Sequence, residues 1–140
     1  MKYWDSSALV ALHVEEPQTS ELRELTLQDA QVVTWTMSDV EIRSAINRLA
    51  RQSLIDLPDM TELISRIDAF WGQVQVVALL SPVKARAKRL LGLHDLRAAD
   101  ALQLAAALLA VHDDPIGHDF VCLDRRLAEA ARREGFTVRP

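Results

Sequence analysis

The sequence predicts an α/β fold, a sandwich of helices on a mostly parallel sheet. Three observations carry that expectation. Short β-rich stretches alternate with helical ones from one end of the chain to the other. One stretch, Leu96 to Val111 (LRAADALQLAAALLAV), is rich in Ala and Leu and apolar on nearly every side, as a helix in the middle of a fold is. Acidic residues also fall just after candidate strands, at the edge where parallel sheets carry their sites.

The elements follow in order. The opening KYW reads as a short strand and DSSALVALHV as a helix, with the change at Asp5, a good N-cap. Glu15-Glu16-Pro17 breaks the chain, and Thr19 to Leu27 resumes a helix with Leu22 and Leu25 inward. Gln31 to Trp35 is a second strand. Ser38-Asp39-Val40-Glu41 has the form of a capping box, followed by Ile42, Ala45, Ile46 and Leu49 at helical spacing. Between Asp56 and Val74, after a break at Pro58, Met60, Leu63, Ile64, Ile67, Phe70 and Trp71 mark an amphipathic helix. Val74 to Leu80 is β-rich. Ser81-Pro82 starts a helix that carries Lys84, Arg86, Lys88 and Arg89 and ends near Gly92, before the central helix. Pro115 and Gly117 mark a loop, and Phe120 to Leu123 is a buried strand. Asp124 caps a helix reaching Glu134, Gly135 stops it, and Phe136 to Arg139 is the last strand.

Bulk properties narrow the function. The chain has 140 residues, 49% hydrophobic and 26% charged, the composition of an ordinary globular protein. No repeat or linker-like stretch divides it, so one domain over residues 1–140 is expected. Its longest clean apolar run, Leu104 to Val111, is far shorter than the ~20 residues of a membrane span. Asp5 interrupts the N-terminus before an apolar signal segment could form. The single cysteine, Cys122, fits a reducing compartment, and the cytoplasm is the default location. A net charge of −4 does not advertise a nucleic-acid binder, although bases gather at Lys84–Arg89 and at Arg125, Arg126, Arg132 and Arg133.

Four carboxylates stand out: Asp5, Glu41, Asp100 and Asp124. Each has a structural explanation on its own. Asp5 and Asp124 could be N-caps, Glu41 half of a capping box, and Asp100 a partner of a helix dipole. Gathered at one sheet edge they would repel one another, and a divalent cation resolves the conflict. An oxygen-only donor set suits Mg²⁺ or Mn²⁺. The histidines (His13, His94, His112, His118) lack zinc-motif spacing, and the four scattered glycines form no phosphate-cradling loop. A carboxylate-held metal without such a loop points to phosphodiester chemistry, with one or two metal ions activating a water for in-line attack.

Here the residues become a pattern. The strand–Asp–Ser-Ser segment (YWDSSALVAL), the Ser38-x-x-Glu41 helix start, LRAADALQLA around Asp100 and the terminal FVCLDRRLAEAARREGFTV stand in this order over nearly the whole chain. In this the chain resembles the PIN-domain nucleases, specifically the VapC-type toxins of bacterial toxin–antitoxin pairs. The resemblance implies a PIN-like three-layer α/β/α sandwich and a Mg²⁺-dependent endoribonuclease. It implies metal ligation chiefly by Asp5 and Asp100, with Glu41 and Asp124 completing the pocket and orienting water. It also implies a homodimer, an RNA substrate and a small cognate antitoxin that covers the site. Gln103 stands where related sequences often have His, and Cys122 where Ser or Thr is common. Asp119 is an alternative fourth acid, but it precedes its strand, the wrong end for this site. Arg97, beside Asp100, and the basic face of Lys84, Arg86, Lys88 and Arg89 are candidates for RNA-backbone contact.

Other readings compete. A PIN-like module that binds RNA or protein without cutting would gain nothing from mutually repelling acids. A receiver-type phosphoacceptor would want an adjacent acidic pair after the first strand, where Ser6-Ser7 follows Asp5 instead. A haloacid-type phosphatase would want Asp-x-Asp, and Ser7 holds the second position.

Overall fold

The computed structural model describes all of Met1–Pro140. Five strands and seven helices alternate along the chain: β1 Lys2–Trp4, α1 Ser6–His13, α2 Thr19–Gln28, β2 Val32–Trp35, α3 Ser38–Arg51, α4 Leu57–Trp71, β3 Gln75–Val77, α5 Leu80–Leu93, α6 Ala98–Ala110, β4 Asp119–Val121, α7 Arg125–Glu134 and β5 Thr137–Arg139. The strands form one sheet in the order β3-β2-β1-β4-β5. The sequence leads one to expect a mostly parallel sheet, and every pairing in it is parallel. No helix is long and apolar enough to cross a membrane.

Side-chain alternation along the strands divides the core in two. Tyr3, Val33, Trp35 and Phe120 point to one face and pack with Val83, Leu90, Leu104 and Leu127 of α5, α6 and α7. Trp4, Val32 and Val121 point to the other and pack with Leu9, Leu22, Ile42, Ile46 and Leu63 of α1 to α4. The result is the three-layer sandwich. Helix α6 buries Ala101 and every residue from Gln103 to Leu108, its small side chains letting it lie against both the sheet and α5.

Where expectation and structure differ, tertiary contacts explain it. Ser38 is already inside α3, and Met37 occupies the cap position without a side-chain cap bond, so the capping box does not form. The Ser38 hydroxyl is buried and bonds Thr34 and Gln103, while Glu41 turns towards Ser6 and Gln103. The strand expected from Val74 to Leu80 is only Gln75–Val77, because Leu80 starts α5 one residue ahead of Ser81-Pro82. Helix α5 passes through Gly92 to Leu93, and α6 begins two residues after Leu96, which is buried ahead of it. Strand β4 runs one residue earlier than expected and ends at Val121, leaving Cys122 and Leu123 in the connection to α7.

Gly135 stops α7 with φ at 109°, in the left-handed region. A Cβ there would also stand 3.1 Å from the Pro115 side chain. Gly135→Ala is therefore expected to lower stability by about 1–2 kcal/mol, read as a lower urea midpoint with an unchanged slope. An unchanged midpoint would show that the C-cap conformation is not strained.

Candidate active site

The chain leaves β1 towards β2 on one side and later returns to place β4 on the other. The carboxyl ends of β1 and β4 therefore flank the point where strand order reverses, which is where open α/β sheets form a crevice. Asp5 directly follows β1, and Asp124 follows β4 by three residues. Glu41 lies in the first turn of α3, after β2, and Asp100 in the first turn of α6.

Asp5 is only 3% exposed. It caps α1, its Oδ2 accepting from the Ser7 N–H at 3.0 Å and the Ser7 hydroxyl at 2.5 Å. Its own N–H donates to the Val121 carbonyl at 3.0 Å, which locks it to β4. Ser7 Oγ in turn accepts from the Leu123 N–H at 3.0 Å, so one hydroxyl joins the heads of both connections. Oδ1 makes no hydrogen bond within the protein and keeps a small contact with solvent. Burial raises the Asp5 pKa to about 6; the two Ser7 bonds oppose the rise, and the charges of Glu41 and Asp100 add to it.

Glu41 is held from two sides. Its Oε2 accepts from the Ser6 hydroxyl at 2.5 Å and from Gln103 Nε2 at 3.0 Å. Behind it runs a buried chain of bonds with a fixed direction. Tyr3 donates its hydroxyl to Gln103 Oε1 at 2.7 Å, and Gln103 Nε2 donates to Ser38 Oγ at 2.8 Å as well as to Glu41. Thr34 donates to the Trp4 carbonyl at 2.6 Å, so across the 2.9 Å contact between the two hydroxyls Ser38 is the donor. A carboxylate only accepts, so the amide nitrogen of Gln103 must face Glu41 and its oxygen Tyr3. Burial, then the charges of Asp5 and Glu41, hold the Tyr3 hydroxyl protonated as that donor.

Asp100 is half-buried. Its pKa is raised by burial first and by Asp124 next, with Arg97 and Arg126 opposing. Asp124 is exposed and caps α7 through Oδ1, which accepts from the Leu127 N–H at 2.8 Å. Cys122, 4% exposed, donates its thiol towards the Asp124 carbonyl at 3.4 Å and Asp5 Oδ2 at 3.7 Å. Burial, then the Asp5 charge, pushes that thiol far up, so it stays a neutral donor rather than a nucleophile.

Two clefts open onto Glu41, Asp100 and Asp124. One is lined by Ser6, Ser7, Glu41, Arg48 and Asp124, the other by Arg97, Asp100, Asp124, Arg125 and Arg126; Leu123 and Asp124 line both. No three acidic, His or Cys side chains stand close enough to enclose a metal ion by themselves. Glu41, Asp100 and Asp124 instead border two adjoining open clefts as oxygen donors, and Ser6 and Ser7, which follow Asp5, line the first of them. That donor set fits Mg²⁺, which keeps several waters and takes few carboxylates.

Of the basic residues singled out in the sequence, Arg97 lies in the acidic cleft, and the α5 cluster does not. Arg86 forms a two-pronged pair with Asp113, beyond the C-terminal end of α6, while Asp100 is at its head. Arg89 pairs with Glu134 at 2.8 Å, at the C-terminal end of α7, while Asp124 is at its head. Each pair is separated from those acids by a helix length, about 15–20 Å. Lys84 and Lys88 point to solvent on the same helix. Asp119 opens β4 at the amino edge and pairs with Arg139 at 3.5 Å, away from the crevice. Ser6 and Ser7, not assigned roles from the sequence, hold one carboxylate each; their signal was their direct succession after Asp5. Arg48 was also missed, and its signal was a spacing of two helical turns from Glu41.

Comparison with known proteins agrees with this architecture. The family model described as PIN domain matches residues 2–133. The chain is 34% identical over 142 residues to ribonuclease VapC47 of Mycobacterium tuberculosis (strain CDC 1551 / Oshkosh), covering 99% of this chain and 95% of that one. It is 30% identical over 138 residues to ribonuclease VapC45 of the same strain and to ribonuclease VapC49 of strain H37Rv, covering 99% of this chain and 94% of each relative.

The buried groups give two expectations. Asp5 has a higher pKa folded, about 6, than the ordinary 3.8, so the folded state binds more protons in that window. Stability is thus lost as pH rises through it. With divalent ions chelated, Asp5→Asn should be more stable than the parent by about 3 kcal/mol at pH 8, and the gain should vanish below pH 4. Denaturant titrations at the two pH values decide this, and an equal gain at both would overturn the electrostatic account. Gln103→Leu strips Tyr3, Ser38 and Glu41 of partners at once and should cost about 2–4 kcal/mol in the same assay. A loss under 1 kcal/mol would show the network to be dispensable.

Proposed function

Because the chain belongs to the PIN-domain family, we propose that it is a metal-dependent endoribonuclease, acting as the toxin of a toxin–antitoxin pair. The observation that carries the reading is Asp5: a carboxylate removed from water at the strand-order reversal, one oxygen unpaired, and close enough to Glu41 and Asp100 for their charges to raise its pKa. Burying a charge without a counter-charge is costly, and a bound cation offsets that cost. The printed names of the relatives, each a VapC ribonuclease, support the same activity here.

In this reading Asp5 and Asp100 hold Mg²⁺, or Mn²⁺ in its place, and Glu41 and Asp124 complete the pocket and orient water. When bound, the metal supplies a polarised water for in-line attack on a phosphodiester and charge for the leaving oxygen. Ser7 fixes the Asp5 carboxylate so that only Oδ1 is presented. Ser6 and Gln103 do the same for Glu41, leaving Oε1 to accept from a water in the crevice. Cys122 keeps its proton and competes for neither role. The protein would be one cytoplasmic PIN domain over residues 1–140, a homodimer, and held inactive by a cognate antitoxin protein.

Cleavage of total cellular RNA by the purified chain, free of antitoxin, tests this. Cutting is expected with Mg²⁺ or Mn²⁺ and not in excess EDTA. Asp5→Asn and Asp100→Asn, shown to be folded, should each lose about 100-fold or more, as removal of a group that stabilises developing charge does. A folded parent that leaves RNA intact with both metals would favour a binding module that no longer cuts.

A further inference from the structure

We propose that an arginine-lined groove along the start of α7 is where RNA backbone enters and leaves the acidic crevice. This rests on the ribonuclease reading above. The cleft that holds Asp100 and Asp124 is walled by Arg97, Arg125 and Arg126, with Leu123 its single apolar lining residue. A second cleft shares Leu123, Asp124, Arg125 and Arg126 with it and continues past Arg132 to Arg139. Arg125, Glu129 and Arg132 lie on one face of α7, so the two clefts form a single track that starts at the acids and runs along α7, with Glu129 the one acid on that face and turned to Arg133 at 3.1 Å.

Three of the charges on this track, Arg97, Arg125 and Arg126, have no structural use that accounts for them, whereas Arg139 pairs with Asp119 and Arg132 stands in the last turn of α7, where a cation is favoured. Arg97 and Arg125 take part in none of the ion pairs of the protein. Arg126 reaches Asp95 only at 4.0 Å and Arg132 reaches Glu129 only at 3.9 Å, both on exposed surface where such pairs contribute little. Arg125 and Arg126 open α7, and Arg97 precedes α6, so each cation stands at the helix end that disfavours it. The arginines of α5, by contrast, are consumed by Asp113 and Glu134. In a chain of net charge −4, unpaired guanidinium groups beside a site for phosphodiesters are suited to phosphate oxygens, which they grip in two-pronged fashion. The charged lining of the first cleft, with Leu123 its one apolar residue, favours a polyanion there over an amphipathic peptide helix, which would want an apolar groove.

The test is binding of a fluorescein-labelled oligouridylate across a salt series, in an Asp100→Asn background with Mg²⁺ present. Arg125→Gln with Arg132→Gln should weaken binding about tenfold or more and flatten the dependence of log K on log salt by about 0.7 per lost phosphate contact. Lys84→Gln with Lys88→Gln should change neither. All four side chains are exposed, so thermal melts should match the parent. Unaltered affinity and slope in the arginine pair, or an equal loss in the lysine pair, would overturn the groove. So would retention of RNA with loss of a labelled polyglutamate peptide, which would mark an acidic-protein surface instead. Cleavage of RNA by the parent chain separates the two proposals: cutting with unaltered arginine variants sinks the groove alone, whereas no cutting sinks the nuclease reading.

Discussion

At the end of the innermost strand the Asp5 carboxylate is taken out of water, and its surroundings are organised by that desolvation. A buried carboxylate without partners would cost several kcal/mol or take up a proton. Ser7 meets one oxygen with both its backbone and its hydroxyl, and Val121 accepts the Asp5 N–H. These bonds also set where α1 begins and where the chain leaves β4. Holding the acid and holding the fold are therefore one set of contacts at this point. The second oxygen is the part left over for chemistry.

Glu41 shows a different solution to the same problem. It is kept at the crevice by groups from three separate elements: Ser6 of α1, Gln103 of α6 and, through Gln103, Tyr3 of β1. Gln103 Nε2 meets two acceptors and Gln103 Oε1 one donor, so the amide of Gln103 has a single orientation. Such a fully satisfied network orders a polar core without leaving an orphaned group. It also explains a polar residue at the heart of the otherwise apolar α6, 1% exposed among alanines and leucines.

How far the sequence could be read follows from the range of the interactions involved. The junctions at Asp5 and Asp124 were legible because capping is local: an acid accepts from an N–H two or three residues on. Leu22, Leu25, Ile42 and Ile46 turn inward as helical spacing requires, and Gly135 stops its helix through its own backbone freedom. Ser38 was misread for the opposite reason. Its partner Gln103 lies 65 residues away, and a buried bond there outweighs a local cap. The cluster from Lys84 to Arg89 looks like a free cationic face in sequence, but Asp113 and Glu134, 27 and 45 residues distant, claim two of its members. Nothing local could have shown this. The arginines that stay unpaired are distinguishable from the paired ones only in space.

The lone thiol adds a property of another kind. Cys122 is buried beneath the groove along α7, protonated, its thiol directed at Asp5 Oδ2 and the Asp124 carbonyl. Alkylating reagents and oxidants attack the thiolate, so in the closed molecule this sulfur is nearly silent. Its labelling would require the connection between β4 and α7 to open. The chain thus carries its own clock for that motion: the pace at which the sulfur is labelled would record how often that connection opens, with no engineered residue.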